Sequence, residues 1–177
     1  MTRYAALLRG VNVGGHNKLP MADLRALLTD LGHTGVATLL QSGNAAFTAA
    51  HDDPDRIAAD IADTLRTRAG LDITVMVRTA ADLQRVVAGI PFPVRDPAKC
   101  AVAFLNTPVD HDRLAALDPA AYAPEELAAG ERELYLYFPN GLGRAKLTAA
   151  LGSRLPGPAT VRNWTTTTRL LALAERG

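Results

Sequence analysis

Apolar residues recur along this chain at two periods, and the order in which those periods follow one another predicts a fold. Tyr4 to Leu8 is a short continuous apolar run, as a buried strand requires. After a Gly/Asn-rich loop, Met21, Leu24, Leu27, Leu28 and Leu31 recur at helical spacing from Pro20, and Gly32 closes that helix. Val36 to Gln41 and Ala45 to Thr48 are extended runs around Ser42-Gly43-Asn44, whose Gly and Asn tolerate the positive φ of a tight hairpin. Asp53-Pro54 is an N-cap with proline in the first helical position, and Ile57, Ile61 and Leu65 then repeat every four residues until Gly70. Ile73, Val75 and Val77 alternate with Thr74, Met76 and Arg78, which predicts a strand. The order is β-α-β-β-α-β, the ferredoxin-like unit.

The second half repeats that order. Thr79 with Asp82 is a helix-start pair, Leu83, Val86, Val87 and Ile90 form one apolar stripe, and Pro91-Phe92-Pro93 stops the helix. Ala101 to Leu105 predicts a strand, Asp110 caps a short helix, and Tyr122 to Ala128 is expected as a weak strand. Leu134, Leu136 and Phe138 alternate with Tyr135 and Tyr137; a helix is expected from about Leu142 to Leu155, an extended run over Thr160 to Arg162, and a last helix from near Trp164. The prediction is an α+β protein of two tandem ferredoxin-like (βαββαβ) subdomains with antiparallel sheets: residues 1–78, a linker helix and proline-rich connection over 79–98, and residues 99–177.

Composition narrows the class. At 177 residues and 48% hydrophobic the chain can bury a core without disulfides, and its one cysteine, Cys100, falls in the apolar run to Leu105 as a buried strand thiol. No charge-free apolar run reaches bilayer length, so a cytoplasmic protein with no membrane partner is expected. The four histidines are scattered with no ligand-like spacing, so no metal and no cofactor is expected.

The formal net charge of +1 hides a segregation. Met1 to Ala22 carries Arg3, Arg9 and Lys18 with no acid, and Leu134 to Ala174 carries Arg144, Lys146, Arg154, Arg162 and Arg169, again with none. The predicted topology places the loop Arg9 to Lys18 beside Ser42-Gly43-Asn44, and Asn140 to Lys146 beside Arg162-Asn163-Trp164. Each cationic stretch then lies next to glycines, asparagines and helix N-termini, which favour anions. Arg9-Gly10-Val11-Asn12-Val13-Gly14-Gly15-His16-Asn17-Lys18 is a glycine-rich loop between strand and helix, the layout of a phosphate cradle, but it lacks the Lys-Ser/Thr of a Walker loop and the dinucleotide G-x-G-x-x-G.

In these motifs, together with Gln41-Ser42-Gly43-Asn44, Gly143-Arg144-Ala145-Lys146-Leu147 and Arg162-Asn163-Trp164-Thr165, the chain resembles a bacterial family known only as domain of unknown function 1697. The resemblance implies a cytoplasmic α+β protein of two subdomains and brings no substrate, cofactor or catalytic residue.

The leading functional expectation is a phosphate-bearing ligand, nucleic acid or nucleotide. Its candidate residues are Arg9, Asn12, Gly14, Gly15, His16, Asn17, Lys18, Ser42 and Asn44 in the first half and Arg144, Lys146, Arg162, Asn163 and Trp164 in the second, the two clusters converging on one site. The alternative is an enzyme acting on a phosphorylated or carboxylated metabolite, with His16 as acid-base and Arg9 or Arg144 stabilising charge. An enclosed pocket around His16 would favour the enzyme, an open basic face the binding protein, and an exposed apolar patch a protein-interaction module.

Overall fold

The computed structural model describes residues 1–152 and 154–176. Its elements run β1 (Thr2–Leu8), α1 (Met21–Asp30), β2 (Thr34–Leu39), β3 (Asn44–Ala49), α2 (Pro54–Ala69), β4 (Val75–Thr79), α3 (Ala80–Ala88), β5 (Cys100–Leu105), α4 (His111–Ala115), β6 (Glu126–Ala129), β7 (Glu133–Tyr137), α5 (Lys146–Gly152), β8 (Ala159–Asn163) and α6 (Trp164–Glu175). Two four-stranded antiparallel sheets form, ordered β2-β3-β1-β4 and β6-β7-β5-β8. These are tandem ferredoxin-like halves. By internal contacts the chain divides into unit 1, Met1–Arg85 with Thr168–Gly177, and unit 2, Val86–Thr167.

In unit 1 the strand alternation turns Tyr4, Ala6 and Leu8 to the face covered by α1 and α2, where they meet Leu24, Leu28, Phe47, Ile57, Ile61 and Leu65. The α2 helix starts as its sequence predicts: Asp53 accepts hydrogen bonds from the Asp55 and Arg56 N–H groups, an arrangement worth about 1 kcal/mol, and Gly70 closes the helix in the left-handed region. Val75 to Arg78 are all buried, Met76 and Arg78 included, so both sets of alternating positions on β4 are removed from solvent. Residues 168–177, read from sequence with the second half, group with unit 1. Arg3 on β1 explains this, donating from its guanidinium to the carbonyls of Ala174 (3.0 Å) and Leu173 (3.2 Å) in the last turn of α6.

Unit 2 packs Ala101, Ala103, Leu105, Leu134, Leu136 and Phe138 against Leu147 and Leu151 of α5. Two expected boundaries are corrected here. Pro119–Tyr122 is a 3-10 turn capped by Asp118, so the strand expected over Tyr122 to Ala128 begins only at Glu126. The helix expected from Leu142 to Leu155 breaks into a 3-10 turn, Leu142–Arg144, and α5.

The repeat between the halves reaches the hydrogen-bond register. In unit 1, Leu8 N–H donates to the Gly43 carbonyl and Arg9 N–H to that of Thr74; in unit 2, Leu105 and Asn106 donate correspondingly to Arg132 and Pro158. Asn44 opposite Leu7 and Glu133 opposite Phe104 then occupy matching positions, each a buried polar residue that satisfies its own hairpin.

Candidate functional site

The end of β1 gathers three loops of unit 1. Leu8 N–H reaches Gly43 O at 2.8 Å and Arg9 N–H reaches Thr74 O at 2.9 Å. Contact with the β2–β3 hairpin is so close that a Cβ on Gly43 would lie 2.8 Å from Leu8 Cβ and 3.3 Å from Val11 Cβ, and its φ of +78° independently requires glycine.

Residues 12–17 form a small antiparallel finger, not a cradle. Asn12 N–H donates to Asn17 O (3.1 Å) and His16 N–H to Val13 O (3.0 Å), with Val13 and His16 bridged. Gly14 and Gly15 at the tip have φ +58° and +79°, the paired left-handed residues of a type I′ two-residue turn. Asn12 fixes the base. Its Nδ2 donates to Leu19 O at 2.8 Å and Gln41 O at 2.7 Å, and its Oδ1 accepts from Leu19 N–H at 2.9 Å. Asn17 Nδ2 donates to Gly10 O at 3.1 Å. The apolar Val11 and Leu19 anchor the finger in the core, at 1% and 3% exposure.

Of the candidates in this unit, Arg9, Gly14, Gly15, His16 and Lys18 are exposed on the finger and its base. Asn12 and Asn17 are also exposed, but their side chains are spent on backbone groups at the finger's base. Asn44 is fully buried and donates to Leu39 O and Ser42 Oγ, both at 3.0 Å, closing the hairpin. Val13 stands 60% exposed beside the tip.

The unit 2 candidates divide differently. Arg144 and Lys146 are exposed. Glu125 supplies the anion that such a cationic helix start asks for: its carboxylate oxygens accept from Lys146 N–H (3.0 Å) and Leu147 N–H (2.8 Å). Sequence spacing gave no hint of Glu125, which arrives from 21 residues upstream. Arg162 is buried on β8, donates to Thr160 Oγ1 (2.7 Å) and Val161 O (3.0 Å), and its pKa is pushed down to about 10 by burial. Asn163 caps α6 as expected, its Oδ1 accepting from Thr166 N–H at 2.8 Å, and Trp164 is half-buried at the helix start.

Two clefts open in unit 2. One, of about 520 Å³, is lined by residues that include Leu117, Glu125 and Leu147; the other, of about 140 Å³, lies among Phe92, Arg95, Glu126 and Tyr137. Neither contains a candidate site residue. Among the described residues no three His, Cys, Asp or Glu side chains gather as metal ligands would, and no helix is long and apolar enough to cross a membrane.

Residues 1–135 match the family described as "Protein of unknown function (DUF1697)", a span that takes in the finger and the β2–β3 hairpin. The chain belongs to the DUF1697 family. The family match ends before the Arg144 and Arg162 segments, but likeness of structure continues through them. The conserved bacterial protein SP0830 from Streptococcus pneumoniae is 25% identical, with a TM-score of 0.76 over 98% of this chain and 98% of that one. No curated protein matches.

Proposed function

We propose that this DUF1697 protein binds a phosphate-bearing ligand through the finger of unit 1, and that the ligand is a nucleic acid. The observation that carries the reading is the finger itself: it turns its asparagine side chains inward and leaves Arg9, His16 and Lys18 exposed around a Gly-Gly tip. Residues 9–19 include no acid, so the segment is cationic as a whole. A projecting, open basic element suits an extended polyanion better than a mononucleotide, which a concave pocket would enclose. The same openness disfavours acid-base chemistry at His16, which stands exposed at the tip where water competes for every charge.

Fluorescence anisotropy with mixed-sequence single- and double-stranded oligonucleotides across a salt series tests this. Binding should weaken with salt, and the double variant R9A/K18A should flatten the log–log slope by roughly 1.4 to 1.8, the share of two phosphate contacts. The pair R144A/K146A measures what unit 2 contributes. The reading fails if no oligonucleotide binds at low salt or if R9A/K18A leaves both affinity and slope unchanged.

A further inference from the structure

Each sheet has at one edge the second strand of its ferredoxin-like half, β2 in unit 1 and β6 in unit 2, and the two edges are finished differently. β2 carries a register shift between Thr34 and Ala37, the kind of irregularity that spoils an edge for further pairing, and α1 packs against it with Met21, Leu24, Leu27 and Leu28 buried. β6 pairs with β7 without a shift, and its neighbouring helix α4 has 5 residues and buries none. Gly130 N–H donates to Glu133 O (2.8 Å) and closes the β6–β7 hairpin with a hydrogen-bonded pair. Such pairs recur at every second residue of an antiparallel ladder, so the main-chain groups of Glu126 and Ala128 point to β7 and those of Leu127 and Ala129 point outward. Among the described residues, nothing hydrogen-bonds to those outward groups.

The cleft of about 520 Å³ follows this edge. It is lined by all four residues of β6, whereas a pocket confined to one face of a strand meets the side chain of every second residue, and its far wall is Leu114, Leu117 and Tyr122. Leu127 faces the core beside Leu136 and Leu147, and Glu126, opposite Tyr137, faces the other way and is exposed. Charge completes the description. Residues 110–129 carry Asp110, Asp112, Asp118, Glu125 and Glu126 against one arginine, Arg113, which pairs with Asp110 at 3.2 Å. We propose that this edge receives an extended basic peptide as a fifth, antiparallel strand. Its apolar residues, at alternate positions, enter the cleft, and the lysines or arginines between them lie on the face of Glu126. A second copy of β6 would instead bring the same acid-rich segment against itself, like charge to like.

The test titrates the full-length ¹⁵N-labelled chain at low salt with blocked seven-residue peptides: one alternating valine and lysine, one alternating valine and glutamate, and the first with its valine amides N-methylated. The valine–lysine peptide should shift the amides of residues 114–117 and 126–129 saturably and bind about tenfold tighter than the glutamate one, since each opposite-charge contact supplies about fivefold in water. N-methylation should abolish binding, because in an antiparallel strand the residues whose side chains enter the cleft are those whose N–H groups face β6. A129P removes an outward donor without breaking a bond to β7 and should weaken binding about fivefold; A115W, at an exposed position on the cleft, should block it. Equal binding of the lysine and glutamate peptides, undiminished binding after N-methylation, shifts centred on another strand or no saturable shift would each overturn the proposal. So would dimerisation of the free chain that A129P abolishes, which would make a second copy the occupant. The cleft shares no residue with the finger, so either proposal can fail alone.

Discussion

Replacing Asn12 by alanine removes the fastening of the finger without touching an exposed cation. Three hydrogen bonds disappear: two partly buried ones with Leu19 and one exposed bond to Gln41 O. At about 1 kcal/mol net for each partly buried bond and half that for the exposed one, their loss is worth about 2.5 kcal/mol. Asn12 also sits at φ +55°, where alanine is strained by roughly 1 kcal/mol more. N12A should therefore destabilise unit 1 by about 3.5 kcal/mol, while N12G, which avoids the strain, should lose about 1 kcal/mol less. N12D separates geometry from bonding, because it keeps the acceptor for Leu19 N–H but turns a carboxylate toward two carbonyls. Native-state hydrogen exchange reads the result unit by unit: His16 N–H, bonded only within the finger, should lose protection in N12A together with the amides of β1, and those of β5 should be unaffected. If N12A shifted unit 1 by less than about 0.5 kcal/mol, or if His16 stayed protected, the finger would not be held by Asn12 and the ordered presentation of Arg9 and Lys18 would need another cause.

His33 is buried and stacked on Phe47 with centroids 4.5 Å apart, and burial holds its pKa below the ordinary value; Asp60 opposes the shift and His51 adds to it. The unfolded chain then takes up the proton first, so stability present at neutral pH should fall as pH drops through about 6.5; the melting temperature of H33F should lack that part of the slope between pH 8 and 5. E125A should free the N–H groups at the start of α5 and destabilise unit 2 by about 2 kcal/mol, with exchange speeding first at Lys146 and Leu147. Cys100 is fully buried, and burial raises its thiol pKa, so a thiol reagent should leave the native protein unlabelled and react promptly in urea; prompt labelling of the folded chain would contradict its placement on β5.

The elements legible in the sequence were those specified by their own residues. Asp53-Pro54 and Gly70 bracket α2, and the Thr79/Asp82 pair opens α3, with Asp82 accepting from Thr79 and Thr79 Oγ1 accepting from Asp82 N–H. What escaped was decided at a distance or by a signal read too coarsely. The α5 start depends on Glu125, which no local pattern announces. By contrast, Asp118-Pro119 has the same signature as Asp53-Pro54 and could have located the 3-10 turn that displaces β6. Within the candidate loop, Val13-Gly14-Gly15-His16 is itself a two-residue hairpin pattern, and reading its glycines as a phosphate cradle overlooked that pattern. The burial of Arg162 follows from its register on β8, where Thr160 and Arg162 share the buried face opposite the one that carries Ala159 and Val161.

The bonds from Arg3 to Leu173 and Ala174 also bear on the order of events during synthesis. Unit 1 is built from two separated stretches, one on each side of unit 2 in the sequence, whereas unit 2 is one uninterrupted stretch. At about 5–20 residues per second, roughly 4 to 18 s separate the emergence of Arg85 from that of Leu173. Throughout that interval the nascent first sheet lacks the helix end that Arg3 holds, while unit 2 needs only its own contiguous residues. The half translated second is thus free to finish first, and any nucleic acid that engages the finger in a growing chain would meet unit 1 before Arg3 has its last partners.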